Sequence, residues 1–106
     1  MTTRYFCTLF DSNYLLKGVA MLLTLKQHCP DAQVHVLCMD EQTQIILTKL
    51  EMPYVTCVAL SNLEDDALLT AKKDRSVAEY CWTLSPCLPW YVLQHNPQID
   101  FITYVD

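Results

Sequence analysis

Residues 5–14 read YFCTLFDSNY, an apolar run followed at once by a polar turn. Aromatic and β-branched residues are enriched in strands, and Ser and Asn are enriched at helix starts. The segment therefore predicts a strand over residues 4–10 that leads into a helix, with Asp11 at the strand end. The end of the chain has a similar pattern, because the apolar run 99–105 leads into a second carboxylate, Asp106.

Strands and helices alternate along the rest of the chain. Apolar runs at about residues 33–39 and 54–59 predict two more strands, and helical patterns separate all four. This order is typical of a mostly parallel α/β sheet with helices on both faces. Crossover connections are right-handed, and if strands one to three grow outward in one direction and strand four returns to lie beside strand one, the strand order is 3-2-1-4.

Capping residues and apolar stripes predict the individual helices. The expected caps are Ser12 or Asn13, Asp40, and two Ser-x-x-Glu capping boxes, Ser61 with Glu64 and Ser76 with Glu79. The expected apolar stripes are Leu15, Leu16, Val19, Leu22 and Leu23 in the first helix and Ile45, Ile46 and Leu50 in the second.

The last helix contains Pro86 and Pro89, each of which removes a backbone N–H and crowds the preceding turn. We expect a break near Ser85 and Pro86, with Ser85 as the cap and Pro86 in the first turn of a continuation to about His95. Trp82 and Tyr91 lie among apolar neighbours, which favours a place in the core over a role as a sugar platform.

In sheets of this winding, ligands bind beyond the carboxyl ends of the strands where the direction reverses. Here that point lies between strands one and four, which carry Asp11 and Asp106. The one glycine, Gly18, lies within a helix, so neither glycine-rich phosphate loop is possible. A diphosphate could instead be held through a divalent cation on Asp106. Asp11, Asn13 and Tyr14 offer hydrogen-bonding groups and a ring face that suit a base and ribose.

Composition narrows the class of protein. The chain has 106 residues, is 52% hydrophobic and 18% charged, and carries a net charge of −5, which indicates a folded domain and argues against a nucleic-acid partner. No apolar run is long enough for a transmembrane segment. The six cysteines contain no C-x-x-C pair, which favours free core thiols, and a cytoplasmic location without a signal sequence is expected.

Three segments resemble the amino-terminal half of nucleotide-sugar glycosyltransferases of GT-A fold, similar to glycosyltransferase family 8. They are FDSNYLLKGVAMLLTLK at residues 10–26, KKDRSVAEYCWTLSP at 72–86 and ITYVD at 102–106. The resemblance implies a transferase that uses a UDP-sugar donor, an unknown acceptor, and Mn²⁺ or Mg²⁺.

The resemblance also implies roles for individual residues. Asp11, Asn13 and Tyr14 match a D-x-N-Y motif that contacts the uridine. Asp106 matches the first aspartate of a D-x-D motif that binds the metal and the sugar nucleotide. The basic residue that reaches the donor is Arg75 by position, with Lys72 and Lys73 as alternatives. Each residue also has a purely structural interpretation, as a helix cap, a strand end or a solvated loop.

The second aspartate of the D-x-D motif and the acceptor-binding half are absent from the 106 residues. We therefore expect a nucleotide-binding half-domain, truncated after the fourth strand, that is inactive alone and can self-associate through its open edge. The alternative is a non-catalytic nucleotide-binding or regulatory α/β module of flavodoxin-like winding, in which Asp11 is simply a strand-end acid.

Overall fold

A computed structural model describes residues 3–105 and contains a four-stranded sheet in the order β3-β2-β1-β4. Every neighbouring pair is parallel, so the predicted α/β class and strand order are confirmed. GT-A identity and truncation stay predictions. The strands are β1 (Arg4–Phe10), β2 (Ala32–Cys38), β3 (Val55–Ala59) and β4 (Thr103–Tyr104).

The central pair of strands is long and the outer strand β4 is short. β1 pairs with β2 along its whole length, from Arg4 opposite Ala32 to Phe10 opposite Cys38. β4 pairs with β1 at only two positions, although the Val105 N–H also donates to the Cys7 carbonyl oxygen at 2.9 Å. The predicted strand over 99–105 is therefore shorter than expected, and Asp106 lies outside the described residues.

Within the described residues, five α-helices connect the strands, and a single 3₁₀ turn at Ser12–Tyr14 precedes the first of them. The helices are α1 (Leu15–His28), α2 (Glu41–Leu50), α3 (Leu60–Leu63), α4 (Asp66–Lys73) and α5 (Val77–His95).

Each face of the sheet packs against its own apolar core, because successive side chains of a strand point to opposite faces. On one side, the Phe10 ring meets α1 at Gly18, where a Cβ atom would lie only 2.6 Å from the ring. On the other side, Cys7 and Leu37 pack against the buried face of α5. That face consists of Tyr80, Leu84, Leu88 and Val92.

The helix caps agree with the predictions in two cases and differ in two. Asp40 caps α2, and Ser76 with Glu79 forms the predicted capping box of α5. The first helix is preceded by a turn that Asp11 caps, so the prediction of Ser12 or Asn13 was wrong. The Ser61–Glu64 box was also wrong. The short helix α3 has no side-chain cap, Asp65 caps α4, and Glu64 bonds to other side chains.

The apolar stripes were predicted too broadly. In α1, Leu22 is fully buried, whereas Leu16 and Leu23 are 87% and 56% exposed. In α2, Leu47 is buried, and Ile45 and Leu50 are about half exposed. Only one narrow stripe of each helix contacts the sheet, so adjacent leucines point into solvent.

Helix α5 runs without a break through Pro86 and Pro89, so the predicted interruption was wrong. Its buried face is continuous across both prolines, and packing on the sheet therefore favours one helix over two. The Ser85 hydroxyl donates to the Cys81 carbonyl oxygen at 2.9 Å instead of capping a new helix. The side of α5 that carries Trp82 is open: Trp82 is 72% exposed, so its predicted place in the core was also wrong.

All six cysteines are free thiols; Cys7 and Cys38 are buried, and the other four are partly buried. Within residues 3–105, every helix falls short of the length and apolar character needed to cross a bilayer.

Candidate functional site

A cavity of about 400 Å³ opens at the carboxyl ends of the strands. A ligand site was predicted at this carboxyl edge, but between strands one and four, and no residue of β4 lines the cavity. The end of each of the first three strands contributes to its wall, and the turn between α4 and α5 closes the opposite side. The lining residues are Asp11, Met39, Asp40, Leu60, Lys72, Arg75, Ser76, Val77 and Tyr80.

Asp11 caps the turn that follows β1. Its Oδ1 atom accepts hydrogen bonds from the backbone N–H groups of Asn13 (3.0 Å) and Tyr14 (3.2 Å). The same carboxylate lines the cavity, so capping and ligand binding are compatible roles for this residue. Burial raises the pKa of the Cys81 thiol on α5, and the negative charge of Asp11 adds to this effect.

Asn13 and Tyr14 are exposed and are not among the residues that line the cavity. The Tyr14 ring is 49% exposed, and the Lys17 ammonium group lies 5.4 Å from its centroid. The structure therefore brings Asp11 together with Lys72 and Arg75 in one cavity. It leaves the other two members of the D-x-N-Y motif on the adjoining surface turn.

Asp40 also lines the cavity. The sequence predicted it as a helix cap but not as a residue of the site. Its Oδ2 atom accepts a hydrogen bond from the Ser12 N–H at 3.0 Å, and its Oδ1 atom accepts bonds from the Thr43 N–H and hydroxyl groups. Partial burial alone would raise the pKa of Asp40, but these hydrogen bonds outweigh it and lower the pKa well below its usual range. The available signal was its position just past β2, next to Asp11 in a 3-2-1-4 sheet.

Lys72 belongs to a three-residue polar cluster with Glu64 and Tyr80. The Glu64 Oε2 atom accepts a bond from the Tyr80 hydroxyl at 2.7 Å and forms a salt bridge with Lys72 Nζ at 3.1 Å. The Lys72 Nζ atom also lies 5.4 Å from the Tyr80 ring centroid. Burial, and then the Glu64 hydrogen bond, raise the pKa of Tyr80 above its usual range. The sequence reasoning missed Glu64 and Tyr80 because Glu64 was assigned to a capping box.

Arg75 differs from Lys72 in having its charged group free. Within residues 3–105, its guanidinium group makes no hydrogen bond or salt bridge. Hydrogen bonds from Ser76, and to a smaller extent the Arg75 charge, lower the pKa of Glu79. Lys73, the third predicted basic residue, is exposed and does not line the cavity. Arg75 is thus the cavity cation with the most freedom to bind an anion.

The part of the chain that the structure describes does not supply a metal site. In residues 3–105, no cluster of three or more His, Cys, Asp or Glu side chains could hold an ion. Both oxygens of Asp40 already accept hydrogen bonds, and the predicted ligand Asp106 lies outside the described residues. The requirement for Mn²⁺ or Mg²⁺ stays a prediction from the resemblance.

Comparison with known proteins identifies two relatives in Bacillus subtilis (strain 168). The chain is 39% identical to Uncharacterized protein YfnF and 33% identical to Uncharacterized protein YfnD, over all 106 residues in both cases. These residues correspond to 35% and 34% of the two relatives, so the chain spans about a third of their length. No protein-family model matches the chain, and no solved structure matches it.

Proposed function

We propose that this chain is the donor-binding half of a nucleotide-sugar glycosyltransferase and that its cavity binds a UDP-sugar. The observation that carries the proposal is the meeting of Asp11, Lys72 and Arg75 in one cavity at the carboxyl edge of a parallel sheet. Neither glycine-rich phosphate loop is possible, so a glycine cradle does not hold the phosphates, and the cationic side chains of the cavity are the candidates to contact them. The resemblance to family 8 transferases implies roles for Asp11 and Arg75, with Lys72 as an alternative to Arg75.

We assign the diphosphate to the Arg75 side of the cavity because of the positive charge of the guanidinium group. A guanidinium group donates several hydrogen bonds in a planar fork that matches phosphate oxygens. Lys72 is already paired with Glu64, which neutralises much of its charge locally. We therefore assign the principal phosphate contact to Arg75 and a weaker one to Lys72.

The base and ribose are assigned to the turn after β1. Asp11 faces the cavity with a carboxylate, and Asn13 has an exposed amide that can both donate and accept. The half-exposed ring of Tyr14 offers a surface on which a base can stack. A uracil edge has both donor and acceptor groups and suits this set.

Catalysis would require the longer protein. The cavity residues can bind and orient the donor and offset charge on the leaving diphosphate, but transfer also requires a positioned acceptor. A cytoplasmic location is part of the proposal, because all six cysteines are free thiols, as is typical of a reducing compartment.

The test is a titration of the chain with UDP and with ADP, followed by backbone amide NMR signals. We expect UDP to shift the signals of residues 11–14 at concentrations where ADP does not. Arg75→Ala should weaken UDP binding by roughly tenfold, as expected for one charge-assisted contact. Lys73→Ala is the matched control, since Lys73 is a neighbouring exposed cation outside the cavity.

Equal shifts with UDP and ADP would contradict the uridine assignment. An equal loss of affinity in both variants would show that net charge, and not the cavity, controls binding. Selective UDP binding by the chain, with no sugar transfer by a longer protein that contains it, would favour the alternative of a non-catalytic nucleotide-binding module.

A further inference from the structure

The outer face of α5 is apolar, although it faces away from the sheet. Residues 80–94 contain no charged residue and no histidine. On the side opposite the buried face, Trp82, Pro86 and Trp90 recur at every fourth position. The two indoles are 72% and 65% exposed, and Pro86 is exposed between them.

This pattern is unusual for a surface helix. A helix with one solvent face normally carries charged and polar residues there, whereas a helix that is apolar all round is covered on both sides. Contiguous exposed apolar patches on soluble domains commonly mark interaction surfaces. Residues 80–94 therefore have the composition of a helix whose second face is covered.

We propose that the outer face of α5 is a homodimer interface, in which the α5 helices of two copies pack antiparallel across a twofold axis at Pro86. Trp82 lies four residues before Pro86 and Trp90 lies four residues after it. Rotation about an axis at Pro86 therefore sets Trp82 of one copy against Trp90 of the other. A twofold interface needs such a self-complementary patch.

The charges near the stripe suit the antiparallel arrangement. No charged group must be desolvated along residues 80–94. Glu79 borders this stretch at one end only, so antiparallel packing keeps the two Glu79 carboxylates at opposite ends of the interface, whereas parallel packing would set them side by side. The helix dipoles also oppose each other in this arrangement, whereas a parallel pair would align them.

The area of the stripe indicates a weak dimer. A tryptophan side chain can bury about 150–250 Å², so four indoles that are mostly exposed could contribute roughly 400–700 Å². Specific interfaces usually exceed about 1,000 Å² in total. Pro86, Pro89 and Leu93 must supply the remainder, and we expect dissociation in the micromolar range.

Two copies with a net charge of −5 each repel one another. Added salt screens this repulsion and leaves apolar contacts intact, so dimerisation should strengthen as salt increases. An association held by ion pairs would weaken instead.

Sedimentation equilibrium across the micromolar range tests the proposal. The wild-type chain should dimerise reversibly, and W82Q/W90Q should raise the dissociation constant at least about tenfold, as expected when central aromatic contacts are lost. Both indoles are exposed, so the variant should keep the wild-type circular dichroism spectrum. A chain that stays monomeric at all concentrations, or a variant that dimerises as well as wild type, would overturn the proposal.

Two controls separate this interface from other modes of association. Phe101, which precedes β4 and is 77% exposed, reports on the open sheet edge; Leu16, which is 87% exposed, reports on α1. F101Q and L16Q should each leave the dimer unchanged. If F101Q makes the dimer dissociate, the two copies contact each other through the sheet edge. If all variants make it dissociate, the association is non-specific. Either result would refute the proposal.

A charge exchange tests the antiparallel geometry. In an antiparallel pair, W82K/W90E places each lysine opposite a glutamate of the other copy, whereas W82K/W90K places like charges together. The first variant should therefore dimerise more tightly than the second. In a parallel pair both variants would set like charges against each other, so equal association of the two would overturn the antiparallel arrangement.

Discussion

Asp40 and Ser12 are 28 positions apart in the chain, yet the Asp40 carboxylate accepts a hydrogen bond from the Ser12 N–H at 3.0 Å. The other carboxylate oxygen caps α2 through Thr43. One side chain thus joins the turn after β1 to the start of the helix after β2. Since that turn carries Asp11, Asn13 and Tyr14, the bond fixes the part of the site assigned to the nucleoside.

This connection predicts two effects of Asp40→Ala. Loss of the N-cap should lower the free energy of unfolding by about 1–2 kcal/mol. Loss of the bond to Ser12 should also weaken UDP binding, because the turn that carries Asp11 is less restrained. Urea denaturation and UDP titration of the same variant measure the two effects.

Asp65→Ala is the matched control for this prediction. Asp65 caps α4 through the Leu68 N–H at 2.8 Å, but it does not line the cavity. Asp65→Ala should lower the free energy of unfolding by a similar amount and leave the affinity for UDP unchanged. If both variants weaken UDP binding equally, the effect of Asp40 is one of global stability and not of the turn.

The raised pKa of Tyr80 leads us to expect a loss of stability at high pH. Burial and the bond to Glu64 raise the pKa of Tyr80 in the folded protein, whereas an unfolded tyrosine ionises near pH 10. The stabilisation is complete below about pH 10 and is lost as the pH rises above it, because only the unfolded state then releases the proton. Thermal melts from neutral to alkaline pH should show this loss, and Tyr80→Phe should reduce it.

Tyr54 provides the comparison for Tyr80. Burial also raises the pKa of Tyr54, whose hydroxyl donates to the Leu22 carbonyl oxygen at 3.1 Å on the other face of the sheet. Tyr54→Phe should remove a separate share of the alkaline loss but leave the Glu64 cluster and the cavity intact. An alkaline profile that neither variant changes would show that other groups control it.

The lowered pKa of His35 leads us to expect a loss of stability in mild acid. Burial lowers the pKa of His35 in the folded state, and within residues 3–105 its buried Nδ1 atom has no hydrogen-bond partner. As the pH falls below about 6.5, the unfolded state binds a proton that the folded state resists, so stability decreases. Urea denaturation between about pH 7 and pH 5 should show a smaller decrease in His35→Gln than in wild type.

The exposed residue His28, at the end of α1, is the control for His35. His28→Gln should keep the acid sensitivity of the wild-type chain. If His35→Gln and wild type lose stability in parallel, the carboxylates account for the acid response and the burial of His35 does not.

The order 3-2-1-4 followed from right-handed crossovers together with the assumption that strand four returns to lie beside strand one. The alternation of strands and helices was predictable because apolar runs and helical patterns are strong local signals. Asp40 and the Ser76–Glu79 box were predictable for the same reason, since a cap requires only residues three positions apart.

The errors arose where tertiary contacts outweighed local patterns. Glu64 fits a capping box in sequence, but the buried Tyr80 hydroxyl bonds to it across 16 positions. Pro86 disfavours a helix locally, yet the continuous packed face of α5 keeps the helix intact. The cavity was predictable at the level of Asp11 and Arg75. Asp40 and Tyr80 also line it, and Glu64 bonds to Tyr80, through contacts that no short motif encodes.

The resemblance assigns a divalent cation to Asp106. If the resemblance to family 8 transferases extends to this position, Mn²⁺ should strengthen UDP binding by the chain, and EDTA should reverse the effect. Asp106→Ala should remove the metal-dependent part of the affinity and leave the metal-free part unchanged. Asp100→Ala is the control, because Asp100 is an exposed carboxylate that lines a different cavity at the opposite end of the sheet. Isothermal titration calorimetry with and without Mn²⁺ measures both parts. Metal-independent UDP binding, or equal metal dependence in Asp106→Ala and wild type, would exclude Asp106 as a metal ligand in this chain.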